Sequence, residues 1–164
     1  MKFHLVDKII SLEPGKRIET IKALSLAEEY LADHFPAFPV LPGVMMLEAL
    51  VQSAAWLVRV QQNFSKSIIV LGAARNVRYA NFVAPGNIMT CKLEAMEITD
   101  SFAKFKGEAF VEGNTTVTGR LELRCFNLAD KTPHLAEADK AVIEQLKSRW
   151  KLVHGPEALA AVGV

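Results

Sequence analysis

The sequence predicts an antiparallel α+β fold in which one long helix is enclosed by a sheet. Residues 43–62 contain no proline and no glycine beyond Gly43, and apolar side chains from Val44 to Val58 surround the axis. A helix without a wet face must be buried on every side. The segments around it are rich in Ile, Leu and Val and are broken by Pro-Gly and Gly-Asn pairs, which mark turns. In the last of them Val117, Gly119, Leu121, Leu123 and Cys125 alternate with Thr118, Arg120, Glu122 and Arg124. That period of two describes a strand with one buried face. A single helix hydrophobic all round and several half-buried strands satisfy each other when the sheet wraps the helix.

The elements follow in order. Residues 3–12 and 16–27 are expected to form an antiparallel pair around Glu13-Pro14-Gly15, with a helical turn near Leu26 to Leu31. Pro36, Pro39 and Pro42 fall within seven residues, which excludes regular helix or a central strand and leaves a stiff loop. Pro42-Gly43 suits the start of the long helix. Strands are expected at 67–82 and 87–98 around Ala84-Pro85-Gly86-Asn87, then at 102–111 and 117–126 around Glu112-Gly113-Asn114-Thr115. Residues 136–150 read as an amphipathic helix and 151–164 as a weakly structured tail. The chain of 164 residues is expected to be one domain, with residues 1–126 as its main body and 127–164 as an extension of the same unit.

Composition narrows the function. Hydrophobic residues are 51% and charged residues 23% of the chain, a globular balance, and the net charge of +1 lacks the basic excess of a nucleic-acid binder. Cys91 and Cys125 are too few for a disulfide scaffold or a four-cysteine zinc site and are expected to be reduced packing residues in a cytoplasmic protein. His4, His34, His134 and His154 are scattered. There is no Walker loop, G-x-G-x-x-G, G-x-S-x-G or H-E-x-x-H, so neither a cofactor nor a metal is expected. Asp7, Lys8 and Glu13 interrupt any signal-peptide core, and no segment is expected to span a membrane.

Two polar residues stand out. Glu48 lies one turn into the apolar helix, where burial favours its neutral, proton-carrying form. Gln52, four residues on, shares its face and can hydrogen-bond the carboxyl group. The helix start at Gly43 offers free backbone N–H groups and the positive end of the helix dipole. His34, in the proline loop, is a candidate base. A proton-carrying acid, a base and N–H donors suit removal of a proton beside a carbonyl followed by loss of a leaving group. The same residues also permit a structural glutamate and an ordinary loop histidine, and they do not decide between these alternatives.

The run from His34 to Gln52, HFPAFPVLPGVMMLEALVQ, resembles the active-site signature of the β-hydroxyacyl-acyl carrier protein dehydratases. The family pattern is H-F-P-x-x-P-x-x-P-G-V followed by E-A and a glutamine. LVDKIISLEPGKRI, NFVAPGN and KFKGEAFVEG are similar to other parts of the same family, so the resemblance covers residues 3 to about 125. It implies a hot-dog fold and a homodimer, with trimers of dimers also common. It further implies a site shared between subunits, with His34 as base and Glu48 as acid held by Gln52. The Gly43 N–H would polarise the thioester carbonyl and the Val40 carbonyl would orient the imidazole. The substrate implied is a 3-hydroxyacyl thioester delivered on acyl carrier protein. Glutamate rather than aspartate at position 48 favours dehydration without isomerisation.

The chain departs from the pattern at Asp33, where a glycine is usual, at Ala37-Phe38 in place of Gly-Arg, and at Asn87 in place of an aspartate. Phe38, Trp56 and Phe82 are candidate walls of a substrate tunnel. Arg75, Arg78, Lys104 and Lys106 are candidates to meet an acidic carrier. Two other readings are a hot-dog thioesterase, which would release free thiol, and a non-catalytic acyl-binding subunit. The His34 loop argues against the first, and the presence of both His34 and Glu48 against the second.

Overall fold

The computed structural model describes residues 3–154. Six strands form one antiparallel sheet: β1 (Lys8–Glu13), β2 (Arg17–Ala23), β3 (Ile68–Tyr79), β4 (Ile88–Ile98), β5 (Phe102–Val111) and β6 (Asn114–Phe126). Their spatial order is β1-β2-β4-β5-β6-β3. Helix α1 (Gly43–Gln61) lies across the concave face, and α2 (Ala136–Val153) follows the last strand. Short 3-10 turns occupy Glu29–Leu31, Leu128–Asp130 and Pro133–Leu135.

The turns are those the punctuation calls for. Gly15 sits at φ +72° between β1 and β2, and the Lys16 N–H closes the turn on the Glu13 carbonyl at 3.0 Å. Glu112 and Gly113, at φ +49° and +80°, make a two-residue hairpin loop between β5 and β6. Positive φ at both central residues is the type I′ geometry that matches strand twist. This hairpin pairs from Val111 and Asn114 onward, so β6 begins three residues before the expected Val117.

The first segment differs more. Residues 3–6 do not join the sheet, and the Asp7 N–H reaches the Ile21 carbonyl of β2 at 2.9 Å. The Leu5 N–H donates to Gln52 Oε1 at 2.9 Å, and the Asp7 carboxylate accepts the Ala23 N–H at 2.8 Å at the end of β2. The N-terminal chain therefore flanks α1 instead of extending β1.

The core lies between α1 and the sheet. Ala49, Leu50, Ala54, Leu57 and Val58 of α1 pack against Leu93, Phe105, Leu121 and Leu123, all at most 2% exposed. Thr20 Oγ1 and Ser53 Oγ, both buried, share a 2.7 Å hydrogen bond that ties α1 to β2. Cys91 and Cys125 are free and buried, as expected. Burial pushes the Cys91 thiol up to about 12, against hydrogen bonds from Thr20 and Ser53.

One expectation about α1 needs correction. The helix is not buried all round: Val44 is 70% exposed, and Met45, Leu47, Glu48 and Gln52 are only partly covered. Its apolar run had hidden this open face, since periodicity cannot separate cover by the chain's own sheet from cover by something else. Length and composition would also let Gly43–Gln61 cross a membrane, although more than half of that stretch is buried against this sheet.

Helix α2 is longer than the expected 136–150, and Lys151 to Val153 complete its last turn. It is docked at both ends. The buried Asp139 carboxylate accepts hydrogen bonds from the Ser67 hydroxyl and from the Leu128 and Ala129 N–H groups, the latter two at 2.9 Å. Near its other end Trp150 meets Trp56 at 5.9 Å, and His154 bridges to Ile9. The rest of the expected tail, 155–164, lies outside the described residues.

Candidate active site

Glu48 and Gln52 are one helical turn apart on the open face of α1, and Gln52 Nε2 donates to Glu48 Oε1 at 2.9 Å. The amide is held on both sides. Its second N–H goes to the Phe3 carbonyl at 3.0 Å, and its oxygen accepts the Leu5 N–H. With both hydrogens and the oxygen committed, the amide cannot flip, and one carboxyl oxygen of Glu48 is fixed as an acceptor. Among the described residues the other oxygen has no hydrogen-bond partner.

Glu48 is half-buried, not sealed in the core as its apolar neighbours had suggested. It lines a cavity of about 790 Å³ that runs between α1 and α2. Gln52, Trp56 and Arg59 continue that wall along α1. Ile69 to Leu71 of β3 and Phe3, His4 and Val6 border it, and Val142, Leu146, Arg149 and Leu152 of α2 face it.

Gly43 opens α1 behind the N-cap Pro42. The Met45 and Met46 N–H groups return to the Pro42 carbonyl at 2.9 and 3.1 Å, and by position the Gly43 and Val44 N–H groups have no helical acceptor. The absence of a side chain at Gly43 is used: a Cβ there would come within 3.1 Å of the Tyr79 ring.

His34 stands in the loop before α1, half-buried and in ring contact with Phe35 at 4.5 Å. The loop is a tight one. Phe35 adopts φ +50°, and the Phe38 N–H closes on the Phe35 carbonyl at 2.7 Å. Val40 is buried, and the neighbouring Leu41 N–H is anchored on the Val83 carbonyl at 2.9 Å. Among the described residues no hydrogen bond joins Val40 to the His34 ring, and His34 does not border the Glu48 cavity. Phe38 and Phe82 stack edge to face at 5.6 Å, both exposed and both away from that cavity, whereas Trp56 lines it. The single chain thus assembles Glu48, Gln52 and Trp56, and holds His34, Phe38 and Phe82 apart from them.

The proposed carrier-facing cations divide similarly. Lys104 is paired with Glu97 at 2.9 Å, while Arg75, Arg120 and Lys106 sit in register across β3, β6 and β5. Among the described residues no group of His, Cys, Asp and Glu side chains is arranged to hold a metal ion.

A FabA-like domain matches residues 1–120. The chain belongs to the FabA-like family. Within it, the chain groups with the FabZ-like dehydratases. It is 34% identical over 120 residues to the 3-hydroxyacyl-[acyl-carrier-protein] dehydratase FabZ of Ruminiclostridium cellulolyticum, covering 73% of this chain and 84% of that protein. The FabZ of Clostridium kluyveri is 32% identical over 129 residues, covering 79% and 88%. Among solved structures, the dehydratase heterocomplex ApeI:P from Xenorhabdus doucetiae superposes with a TM-score of 0.66 at 19% identity, over 81% of this chain and 90% of that one. The fold is accordingly the hot dog that the signature implied. The FabA-like match ends within β6, so α2, which walls the Glu48 cavity, lies beyond the shared family region. Sequence reasoning did not anticipate that role, nor those of Arg59 and Phe3. The one available signal was an amphipathic helix without an assigned partner.

Proposed function

We propose that the protein dehydrates 3-hydroxyacyl thioesters carried on acyl carrier protein to trans-2-enoyl thioesters, in fatty acid synthesis or a related lipid or polyketide route. The observation that carries this reading is the Glu48–Gln52 pair, fixed on an open helix face beside a cavity and one turn from free N–H groups at Gly43. His34 removes the C2 proton of the substrate. The Gly43 N–H stabilises the charge that develops on the thioester oxygen. Glu48 protonates the C3 hydroxyl, the C3–O bond breaks, and water leaves with that proton. The Val40 carbonyl orients His34.

A homodimer completes the site, with His34 from one subunit meeting Glu48 of the other. Two observations support this arrangement: His34 lies away from the Glu48 cavity within one chain, and α1 keeps an open face that includes Val44. A trimer of such dimers and a cytoplasmic setting extend the same reading.

The test is hydration of crotonyl thioester, the reverse reaction, followed as loss of enoyl absorbance. The expected result is reversible hydration that falls by about two or more orders of magnitude in His34→Ala and in Glu48→Gln. Release of free thiol without hydration would instead identify a thioesterase. Binding without turnover would identify an acyl-binding subunit.

A further inference from the structure

The cavity bordered by Glu48 is also bordered by two arginines. Arg59 lies eleven positions further along α1, roughly 16 Å at 1.5 Å per residue. Its Nε is buried without a hydrogen-bond partner, and its guanidinium carbon lies 5.2 Å from the centre of the Trp56 ring. Arg149 of α2 borders the same cavity. Among the described residues neither arginine has a carboxylate within ion-pair distance. The acidic groups on the cavity are otherwise committed or remote: Glu48 accepts from Gln52, and Glu144, on an exposed turn of α2, meets Lys147 at 3.4 Å. Burial pulls the Arg59 guanidinium down to about 10, with the Cys125 thiol opposing that shift. An arginine whose Nε is buried and unpartnered is stabilised by an anion that brings its own bidentate oxygens.

Direction then selects the anion. On the reading above, the thioester carbonyl belongs at the Gly43 end of α1 and C3 belongs at Glu48. The acyl chain must continue toward Arg59, and the carrier's arm must leave the other way. Trp56, Ile69, Val142 and Leu146 supply apolar wall between the two ends. From this arrangement we infer that the enzyme prefers an acyl chain ending in a carboxylate, which Arg59 and Arg149 bind at the far end of the cavity. Helix α2, outside the shared family region, is then the element that sets substrate choice. The inference rests on the dehydratase reading for its chemistry but not for its binding.

Two measurements test it. In the first, kcat/KM for hydration is compared between an enoyl pantetheine thioester with an ω-carboxylate and its methyl-ended counterpart of equal length. The expected ratio is about tenfold or more in favour of the carboxylate, consistent with a charge-assisted pair. It should collapse toward unity in Arg149→Gln and recover in part in Arg149→Lys. Arg149 is the primary site to vary because it is half-exposed, and circular dichroism establishes that each variant folds. A ratio of one or less in the wild type, or a ratio unmoved by Arg149→Gln, overturns the inference. It also fails if Arg149→Gln instead erases an advantage of phosphopantetheine over pantetheine thioesters, because the arginines would then be reading the carrier's arm. The second measurement is calorimetric binding of dodecanoate against dodecanol, which needs no turnover. Loss of all hydration with the carboxylate preference intact would sink the dehydratase reading and leave this one standing. Equal binding of the two would sink this one alone.

Discussion

Gln52 does more than steady one carboxylate. Its amide joins three segments, since it donates to Glu48 and to the Phe3 carbonyl and accepts from Leu5. Gln52→Leu removes a hydrogen bond to Glu48 and leaves the Leu5 N–H unpaired in a part-buried position. The expected result is a kcat for hydration about tenfold to a hundredfold lower with KM little changed, because the acid is misplaced while the walls of the cavity persist. A variant whose KM rises with kcat intact would make Gln52 a binding residue only. The i, i+4 spacing made the Glu48–Gln52 bond legible in the sequence. It could not show where the other two bonds of the amide go, because Phe3 and Leu5 reach Gln52 only through the fold.

At the scale of elements, α2 depends on one acid. Burial opposes ionisation of Asp139, but the Ser67 hydroxyl and the Ala129 and Leu128 N–H groups outweigh it and hold the carboxyl below its ordinary 3.8. A depressed native value means that the unfolded form binds the proton more readily. The stability it contributes is therefore complete above about 3.8 and is lost as pH falls through the lower native value. Acidification through that window should loosen α2 before the sheet. Asp139→Asn should produce the same loosening at neutral pH, read as faster proteolysis within 131–153 while hairpin amides of β5 and β6 keep their hydrogen-exchange protection. Uniform loss of protection across the sheet would show instead that α2 and the core unfold together. Strand and hairpin positions were readable because turn chemistry is local. Element ends were less so: β6 starts early because the turn needs only Glu112 and Gly113, and α2 runs on to Val153 because its last turn packs on Ile9 and Trp56.

At the scale of the whole molecule, the sheet ends on β3, a twelve-residue strand paired on one side only, and α1 beside it keeps an uncovered face. The pattern of apolar residues identified this helix but treated its whole surface as interior, since a sequence does not distinguish burial within a chain from burial between chains. If the two subunits share each site, inactive variants should complement. Mixing His34→Ala and Glu48→Gln protein after reversible dissociation should restore about a quarter of wild-type activity. Half of the dimers would then be mixed, each with one intact and one doubly damaged site. Activity that stays at the level of the separate variants would place both residues in one subunit's site. The candidate site was therefore legible as a set of residues, but not as an arrangement: His34 and Glu48 are fourteen positions apart in sequence and do not line one cavity in the folded chain.

The chain has two tryptophans, and they face each other across the seam between α1 and α2. Trp56 sits on the cavity wall with Arg59 over its ring, and Trp150 rides on the helix that closes the cavity. Tryptophan emission is consequently confined to this one seam, and excitation selective for indole leaves out Tyr30 and Tyr79. Occupancy of the cavity and release of α2 can both be followed by emission from the unlabelled protein.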